Sequence, residues 1–158
     1  MNRLESKTAI ITGGAGGIGT EVGRLFAAEG ANVLLVDLDE TQLRAACDEI
    51  GSNRATHFVA DVTSESDNQA MINTAVQRYG GLDCLVANAG TEGDVTPITE
   101  YDEKRFDHVL AVNVKGPFLG MKAAIPELEK MVRDASAVSL ISLNKKWYQT
   151  DSEKDISE

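Results

Sequence analysis

The amino-acid sequence predicts an α/β fold, in which a doubly wound parallel sheet carries helices on both of its faces. Short β-branched or apolar runs alternate along the chain with segments whose apolar residues recur at helical spacing. A glycine-rich turn joins the first of these runs to the first helical segment. The length of 158 residues and the hydrophobic content of 42% suit one globular domain and exclude two full domains.

The first two strand–helix units are clear in the sequence. Residues 8–12 form a β-branched run that ends in glycines, which is typical of a buried strand. Helical spacing of apolar residues follows from Ile18 until Gly30 ends the pattern. The continuous apolar run 33–36 predicts a second strand that is covered on both faces, and a helix over 39–50 follows it.

The alternation continues through a third and a fourth strand. Residues 57–60 are the predicted third strand, and Ser64 is placed to cap the next helix. Gly80 and Gly81 end that helix, and residues 84–87 form the predicted fourth strand. The crossovers between parallel strands are expected to be right-handed.

Beyond the fourth strand, residues 91–100 form a looser stretch. A helical pattern begins at Asp102, is interrupted at Gly116-Pro117, and continues as a second apolar stripe to Met131. Residues 137–141 are the predicted fifth strand. We therefore expect one domain over residues 1–143, followed by a polar, disordered or loosely packed tail over 144–158.

The charge of the chain argues against several classes of partner. A formal net charge of −10 repels phosphate backbones, which excludes nucleic acid and anionic membranes as expected partners.

Two cysteines, Cys47 and Cys84, suit a reducing compartment and exclude a disulfide framework or a cysteine-based zinc site. We expect no metal site, no secretory leader and no membrane span, and hence a cytoplasmic protein.

The glycine-rich turn Thr12-Gly13-Gly14-Ala15-Gly16-Gly17-Ile18-Gly19 lies directly between the first strand and the first helix. Its glycines allow a tight turn and a close approach of the backbone to a pyrophosphate. The N–H groups and the dipole at the helix start attract phosphate charge. This placement predicts a dinucleotide site, and a merely flexible turn is the alternative.

The glycine spacing in this turn fits two templates. Gly14, Gly16 and Gly19 satisfy G-x-G-x-x-G, whereas Gly13, Gly17 and Gly19 satisfy T-G-x-x-x-G-x-G. A Walker A loop is excluded, because Thr-Glu follows the last glycine where Lys-Ser/Thr is required.

Asp37 ends the second strand, and its carboxylate can accept hydrogen bonds from an adenosine ribose. It would repel the 2′-phosphate of NADP, and no Arg follows Gly16 or Asp37 to hold that phosphate, so NAD is the predicted cofactor. Leu38, the next residue, is included in the predicted site. The alternative role for Asp37 is a helix N-cap, which Asp39 could fill instead.

Four segments at successive strand–helix positions carry a resemblance: Thr12-Gly13-xxx-Gly17-Ile18-Gly19, Asp61-Val62, Asn88-Ala89-Gly90 and Asn113-Val114-Lys115-Gly116. With these four motifs in this order, the chain resembles the classical subgroup of the short-chain dehydrogenase/reductase family over about residues 6–142. The resemblance implies a Rossmann-type sheet with strand order 3-2-1-4-5. It also implies a nicotinamide cofactor and hydride transfer to or from an alcohol or ketone.

The resemblance further implies a role for each motif. By that likeness Gly13, Gly17, Ile18 and Gly19 hold the pyrophosphate, Asp37 holds the ribose, Asp61 and Val62 flank the adenine, and Asn88, Ala89 and Gly90 line the cofactor. Asn113 matches an asparagine that supports the catalytic lysine of the family through a water. Each residue also has a structural alternative: Asp61 as a helix cap, Asn88-Ala89-Gly90 as a turn, and Asn113 as a helix-break residue.

The sequence departs from the family where the catalytic residues are expected. The family has a serine after the fifth strand, then a tyrosine and a lysine four residues apart on one helix face. Ser142 aligns with the first of the usual serine pair, whereas Leu143 stands where the catalytic serine is commonest. Tyr148 is followed four residues later by Ser152, and Lys154 lies about 120° from Tyr148 around a helix. We therefore expect the catalytic Tyr-xxx-Lys pair to be absent.

Three functions are compatible with this sequence. The first is an NAD-dependent short-chain oxidoreductase with an intact cofactor half and little or no turnover. The second is a non-catalytic nucleotide-binding module or partner of a full-length homologue, and the third is a non-functional truncated gene product. By the resemblance, two copies of the chain would pair through the helix over 116–132 that follows Asn113.

Overall fold

The computed structural model describes residues 2–131. The predicted fifth strand, Ser142 and the predicted tail lie outside the described residues. Strands and helices alternate within them in the order β1 Thr8–Thr12, α1 Gly17–Ala28, β2 Asn32–Asp37, α2 Glu40–Ile50, β3 Ala55–Val59, α3 Glu65–Tyr79, β4 Cys84–Val86, α4 Glu103–Leu110 and α5 Gly116–Met131. A 3-10 turn at Ile98–Glu100 and a π-helical turn at Ala111–Lys115 complete the order.

The four described strands form one parallel sheet in the order β3-β2-β1-β4. This confirms the predicted α/β fold and matches the predicted 3-2-1-4-5 order as far as the described residues reach. Because the strands are parallel, their carboxyl ends meet at one edge of the sheet. The glycine turn, Asp37 and the residues after β4 are therefore brought together at that edge.

Two hydrophobic layers cover the two faces of the sheet. Ile10 and Leu34 pack with Met71 and Ile72 of α3 on one face, and they are almost completely buried. The neighbouring residues Ile11 and Leu35 point to the other face and pack with Leu43 of α2 among others. This alternation along strands covered on both sides explains why the interior positions of β1 and β2 form continuous apolar runs in the sequence.

The helix termini follow the predicted capping chemistry. Ser64 caps α3, and its hydroxyl oxygen accepts a hydrogen bond from the Asp67 N–H. Asp39 caps α2, since its Oδ1 accepts from the N–H groups of Thr41 at 2.8 Å and Gln42 at 3.1 Å. Asp37 is thus not the cap of α2 and remains at the edge of the sheet.

The structure differs from the sequence prediction at Gly116-Pro117, which does not break the helix. α4 passes through the π-helical turn into α5, and Gly116 has helical angles with its N–H donating to the Ala111 carbonyl five residues back. Pro117, the second residue of α5, has no N–H to donate. The π-helical turn directly before it forms hydrogen bonds to the carbonyl five residues back instead of four, which changes the hydrogen-bond register at this point. The third strand also begins at Ala55, two residues earlier than predicted, because it pairs with β2 from Val33 onward.

The α5 helix presents apolar side chains to solvent. Phe118 is 57% exposed and Ile125 is 38% exposed, and Val114 in the π-helical turn is also exposed. This arrangement is compatible with pairing of two copies through the helix, which stays a prediction. In the part of the chain that the structure describes, no helix is both long enough and apolar enough to span a bilayer.

Candidate functional site

A cleft of about 510 Å³ lies at the carboxyl edge of the sheet, beside the N-terminus of α1. All the predicted cofactor residues except Gly19 line it: Gly13, Gly17, Ile18, Asp37, Leu38, Asp61, Val62, Asn88, Ala89 and Gly90. The fold thus brings four separate sequence segments around one space. Gly19 lies instead beneath the turn.

The glycine turn is shaped by two close backbone contacts. Gly13 has a left-handed φ of +64°, and a Cβ there would lie 2.9 Å from the Ala89 Cα. A Cβ on Gly19 would overlap the Gly13 carbonyl oxygen and approach the Gly14 Cα to 2.9 Å. Both positions therefore require glycine for the turn to close, whatever the cleft binds.

The N-terminus of α1 has the chemistry of an anion site. Its cap residue, Gly16, has no side chain to accept from the first N–H groups, and the first turn carries no acidic residue. A Cβ on Gly17 would meet no atom within 4 Å among the described residues, so Gly17 leaves open space in the cleft. A phosphate group could approach these backbone N–H groups closely.

Asp37 holds the backbone of the turn as well as lining the cleft. Its Oδ2 accepts from the Ala15 N–H at 3.1 Å, and its Oδ1 accepts from the Leu38 N–H at 2.8 Å. The carboxylate therefore connects the end of β2 to the glycine turn. Each carboxylate oxygen can accept more than one hydrogen bond, so these contacts leave capacity for ligand hydroxyl groups.

Asn88 and Ala89 join the end of β4 to the same turn. The Asn88 Nδ2 donates to the carbonyl oxygens of Thr12 at 3.0 Å and Gly13 at 3.1 Å. The Ala89 N–H donates to Thr12 Oγ1 at 3.1 Å. These contacts hold the residues after β4 against the glycine turn and define one wall of the cleft.

Asp61 and Val62, between β3 and α3, also line the cleft. The Asp61 Oδ1 accepts from the N–H and the hydroxyl of Thr63, both at 2.8 Å, so Asp61 closes a local turn while Ser64 caps the helix. The Asp61 N–H donates to Asp67 Oδ2 at 3.0 Å. This bond, with a second from the Ser64 hydroxyl, lowers the pKa of Asp67 and keeps its carboxylate charged.

Asn113 lies in the π-helical turn behind the cleft. Its Oδ1 accepts from the Thr91 N–H and its Nδ2 donates to the Thr91 carbonyl, both at 2.9 Å. The side chain thus ties the segment after β4 to the helix. The predicted link from Asn113 through a water to a lysine stays a prediction, as does the role of Ser142.

Several cleft residues were not predicted from the sequence. They are Val36, Ala60, Thr91, Glu92, His108 and Val112. Val36 and Ala60 directly precede predicted site residues, and Thr91 and Glu92 directly follow Gly90. The signal for His108 and Val112 is their spacing of four residues, which places them on one helix face just before Asn113.

The cysteines lie away from this cleft and are partly buried. Burial raises the pKa of the Cys84 thiol. Burial also raises the pKa of the Cys47 thiol, and the nearby charge of Asp48 is a smaller cause of the same shift. Both thiols are therefore protonated near neutral pH and behave as small apolar side chains. Among residues 2–131, no group of three or more His, Cys, Asp or Glu side chains could hold a metal ion.

Comparisons with known proteins agree on the relatives of this chain. The family model for short chain dehydrogenase matches residues 7–147. Zerumbone synthase of Zingiber zerumbet is 37% identical over 145 residues, which cover 88% of this chain and 54% of that protein. Short chain aldehyde dehydrogenase 1 of Euphorbia lathyris is 44% identical over 133 residues, which cover 79% of this chain and 46% of that protein.

A solved structure supports the same relationship. The crystal structure of 3-ketoacyl-(acyl-carrier-protein) reductase from Brucella melitensis, complexed with NADH, is similar with a TM-score of 0.77 and 33% sequence identity. The likeness covers 80% of this chain and 52% of that chain. This chain spans about half the length of the relatives it matches.

Proposed function

Because the chain belongs to the short-chain dehydrogenase family of oxidoreductases, we propose that its cleft binds NAD(H). The observation that carries this proposal is the open N-terminus of α1, with Asp37 at the end of the next strand in the same cleft. Open space at Gly17 supports a pyrophosphate beside the N-terminus of α1, and the Asp37 carboxylate in the same cleft would accept from the ribose hydroxyls. The Brucella reductase, whose crystal structure contains NADH, supports a nicotinamide cofactor.

The same geometry supports NAD over NADP. In this proposal the 2′-phosphate of NADP would have to bind beside the Asp37 carboxylate, and like charges repel. Asp61 and Val62 are proposed to flank the adenine, and Asn88, Ala89 and Gly90 to line the rest of the cofactor. The proposed domain continues through residue 143, and the low cysteine content favours a cytoplasmic location.

We expect NADH to bind the purified full chain and to raise its melting temperature. A ligand that binds only the folded state at about 100 times its Kd stabilises it by about 2.7 kcal/mol. Fluorescence titration with NADH measures the affinity, and thermal melts with and without NADH measure the stabilisation. Absence of both a saturable titration and a shift in melting temperature would overturn the proposal.

When bound, the nicotinamide of the cofactor supplies hydride chemistry to or from an alcohol or ketone. That step also needs a group that moves a proton at the substrate oxygen. In the family this group is a tyrosine with a lysine four residues later, and this sequence has Ser152 four residues after Tyr148. We propose that the chain holds the cofactor but lacks a positioned proton donor.

Turnover on secondary alcohols and ketones is therefore expected to be undetectable for this chain. The Tyr148→Phe variant should also show no turnover, and it should bind NADH as tightly as the parent. The measurement is NADH oxidation or NAD reduction in the presence of candidate substrates. Activity that disappears in the Tyr148→Phe variant would show that Tyr148 is a catalytic residue.

A further inference from the structure

Asn68 is a polar residue within the core, on α3, and is only 1% exposed. Its Nδ2 donates to the carbonyl oxygens of Val62 at 2.8 Å and Ser64 at 2.7 Å. Because both partners are acceptors, the nitrogen of the amide must lie on this side and Oδ1 on the other. Asn68 Oδ1 is buried and has no hydrogen-bond partner among the described residues.

A cavity of about 10 Å³ adjoins Asn68. It lies between α3, α5 and the carboxyl ends of β1 and β4, and its lining includes Thr12, Leu85, Ala89 and Gly120. This volume is close to that needed by a single water molecule. A Cβ on Gly120 would lie 3.4 Å from both Asn68 Oδ1 and Leu85 Cδ2, so the missing side chain at Gly120 leaves space beside the acceptor.

We propose that this cavity binds one buried water molecule, which donates a hydrogen bond to Asn68 Oδ1. A buried acceptor without a partner loses its hydration, whereas a bound water restores the missing bond. Thr12 offers a second polar contact, because its Oγ1 accepts from the Ala89 N–H and has another lone pair. The water connects α3 to the Thr12–Ala89 contact that supports the wall of the cleft.

A crystal structure of the full chain tests the site directly. An ordered water within about 2.7–3.2 Å of Asn68 Oδ1 is the expected result. A cavity with no density at that position would overturn the proposal. A protein N–H or O–H group that donates to Asn68 Oδ1 would also overturn the proposal.

Substitution at Gly120 tests the site in solution. In Gly120→Ala the new methyl group takes the place of the water, and we expect the unfolding equilibrium constant to rise about tenfold because Oδ1 loses its partner. In the Asn68→Ala background the same change should stabilise the chain, because no acceptor remains and alanine is a better helix former than glycine.

Gly120→Ser separates loss of the water from crowding. The serine has the same Cβ as alanine and a hydroxyl that can donate to Oδ1, so it should restore most of the stability that alanine loses. An equal loss in both variants would indicate crowding alone and would contradict the proposal. A gain in stability for Gly120→Ala in the parent chain would show a dry cavity and would also contradict it.

Discussion

Gly17→Ala should leave the folded chain as stable as the parent and lower its affinity for NADH by about tenfold or more, which corresponds to about 1.4 kcal/mol. A Cβ on Gly17 meets no atom within 4 Å in the described structure, and the residue is the first of α1 and does not have a left-handed φ. The methyl group would instead occupy the space where the proposed pyrophosphate approaches the backbone. Chemical denaturation and NADH titration measure the two quantities separately.

Gly19→Ala is the matched comparison on the same helix. Its Cβ would overlap the Gly13 carbonyl oxygen, so the glycine turn itself must move. We expect this variant to lose stability as well as affinity for NADH. If Gly17→Ala binds NADH as tightly as the parent, the N-terminus of α1 is not the phosphate site.

Asp37→Asn should reduce the preference for NADH over NADPH. The ratio of the Kd for NADPH to the Kd for NADH is expected to fall by about tenfold or more. The parent is expected to favour NADH, because the Asp37 carboxylate repels the additional 2′-phosphate. Asparagine removes the charge but keeps an oxygen that can accept from the Ala15 or Leu38 N–H. Titration of each variant with both cofactors at one ionic strength gives the ratio, since surface charge effects depend on salt.

Asp39→Asn is the control for the charge change. Asp39 lies two residues from Asp37 and caps α2, and asparagine is an equally good N-cap. This variant therefore loses one negative charge near the cleft without changing the turn. If it alters the NADH to NADPH ratio as much as Asp37→Asn does, a general charge effect is responsible. If the parent binds NADH and NADPH equally tightly, Asp37 does not select between the two cofactors.

Local patterns explain why much of the architecture was predictable. Ile10 and Ile11 belong to an apolar run because both faces of the sheet are covered, and such runs stand out in any sequence. Ser64 and Asp39 have side chains that satisfy the N–H groups of the next helical turn, which is a short-range interaction. The alternation of these elements was sufficient to predict the parallel sheet.

Gly116-Pro117 shows where local patterns were not enough. Both residue types commonly end helices, yet here the chain passes through a π-helical turn and continues as α5. The helix packs against α3 and β4, and Gly116 lies against Val62 so closely that a Cβ would come within 3.0 Å of the valine side chain. Tertiary packing leaves little room for a side chain at Gly116, whereas the sequence pattern indicated a break.

The candidate cofactor residues at 61–62 and 88–90 came from the resemblance to the family, whereas the sequence by itself determined the four described strands, most of the described helices and the glycine turn. These depend on periodicity and on short-range hydrogen bonds, which are properties of neighbouring residues. Only the tertiary structure decided that Asp37 holds the Ala15 N–H, that His108 and Val112 complete the cleft, and that Asn113 binds Thr91. Such contacts join residues far apart in the chain, and their partners are selected by how the elements pack.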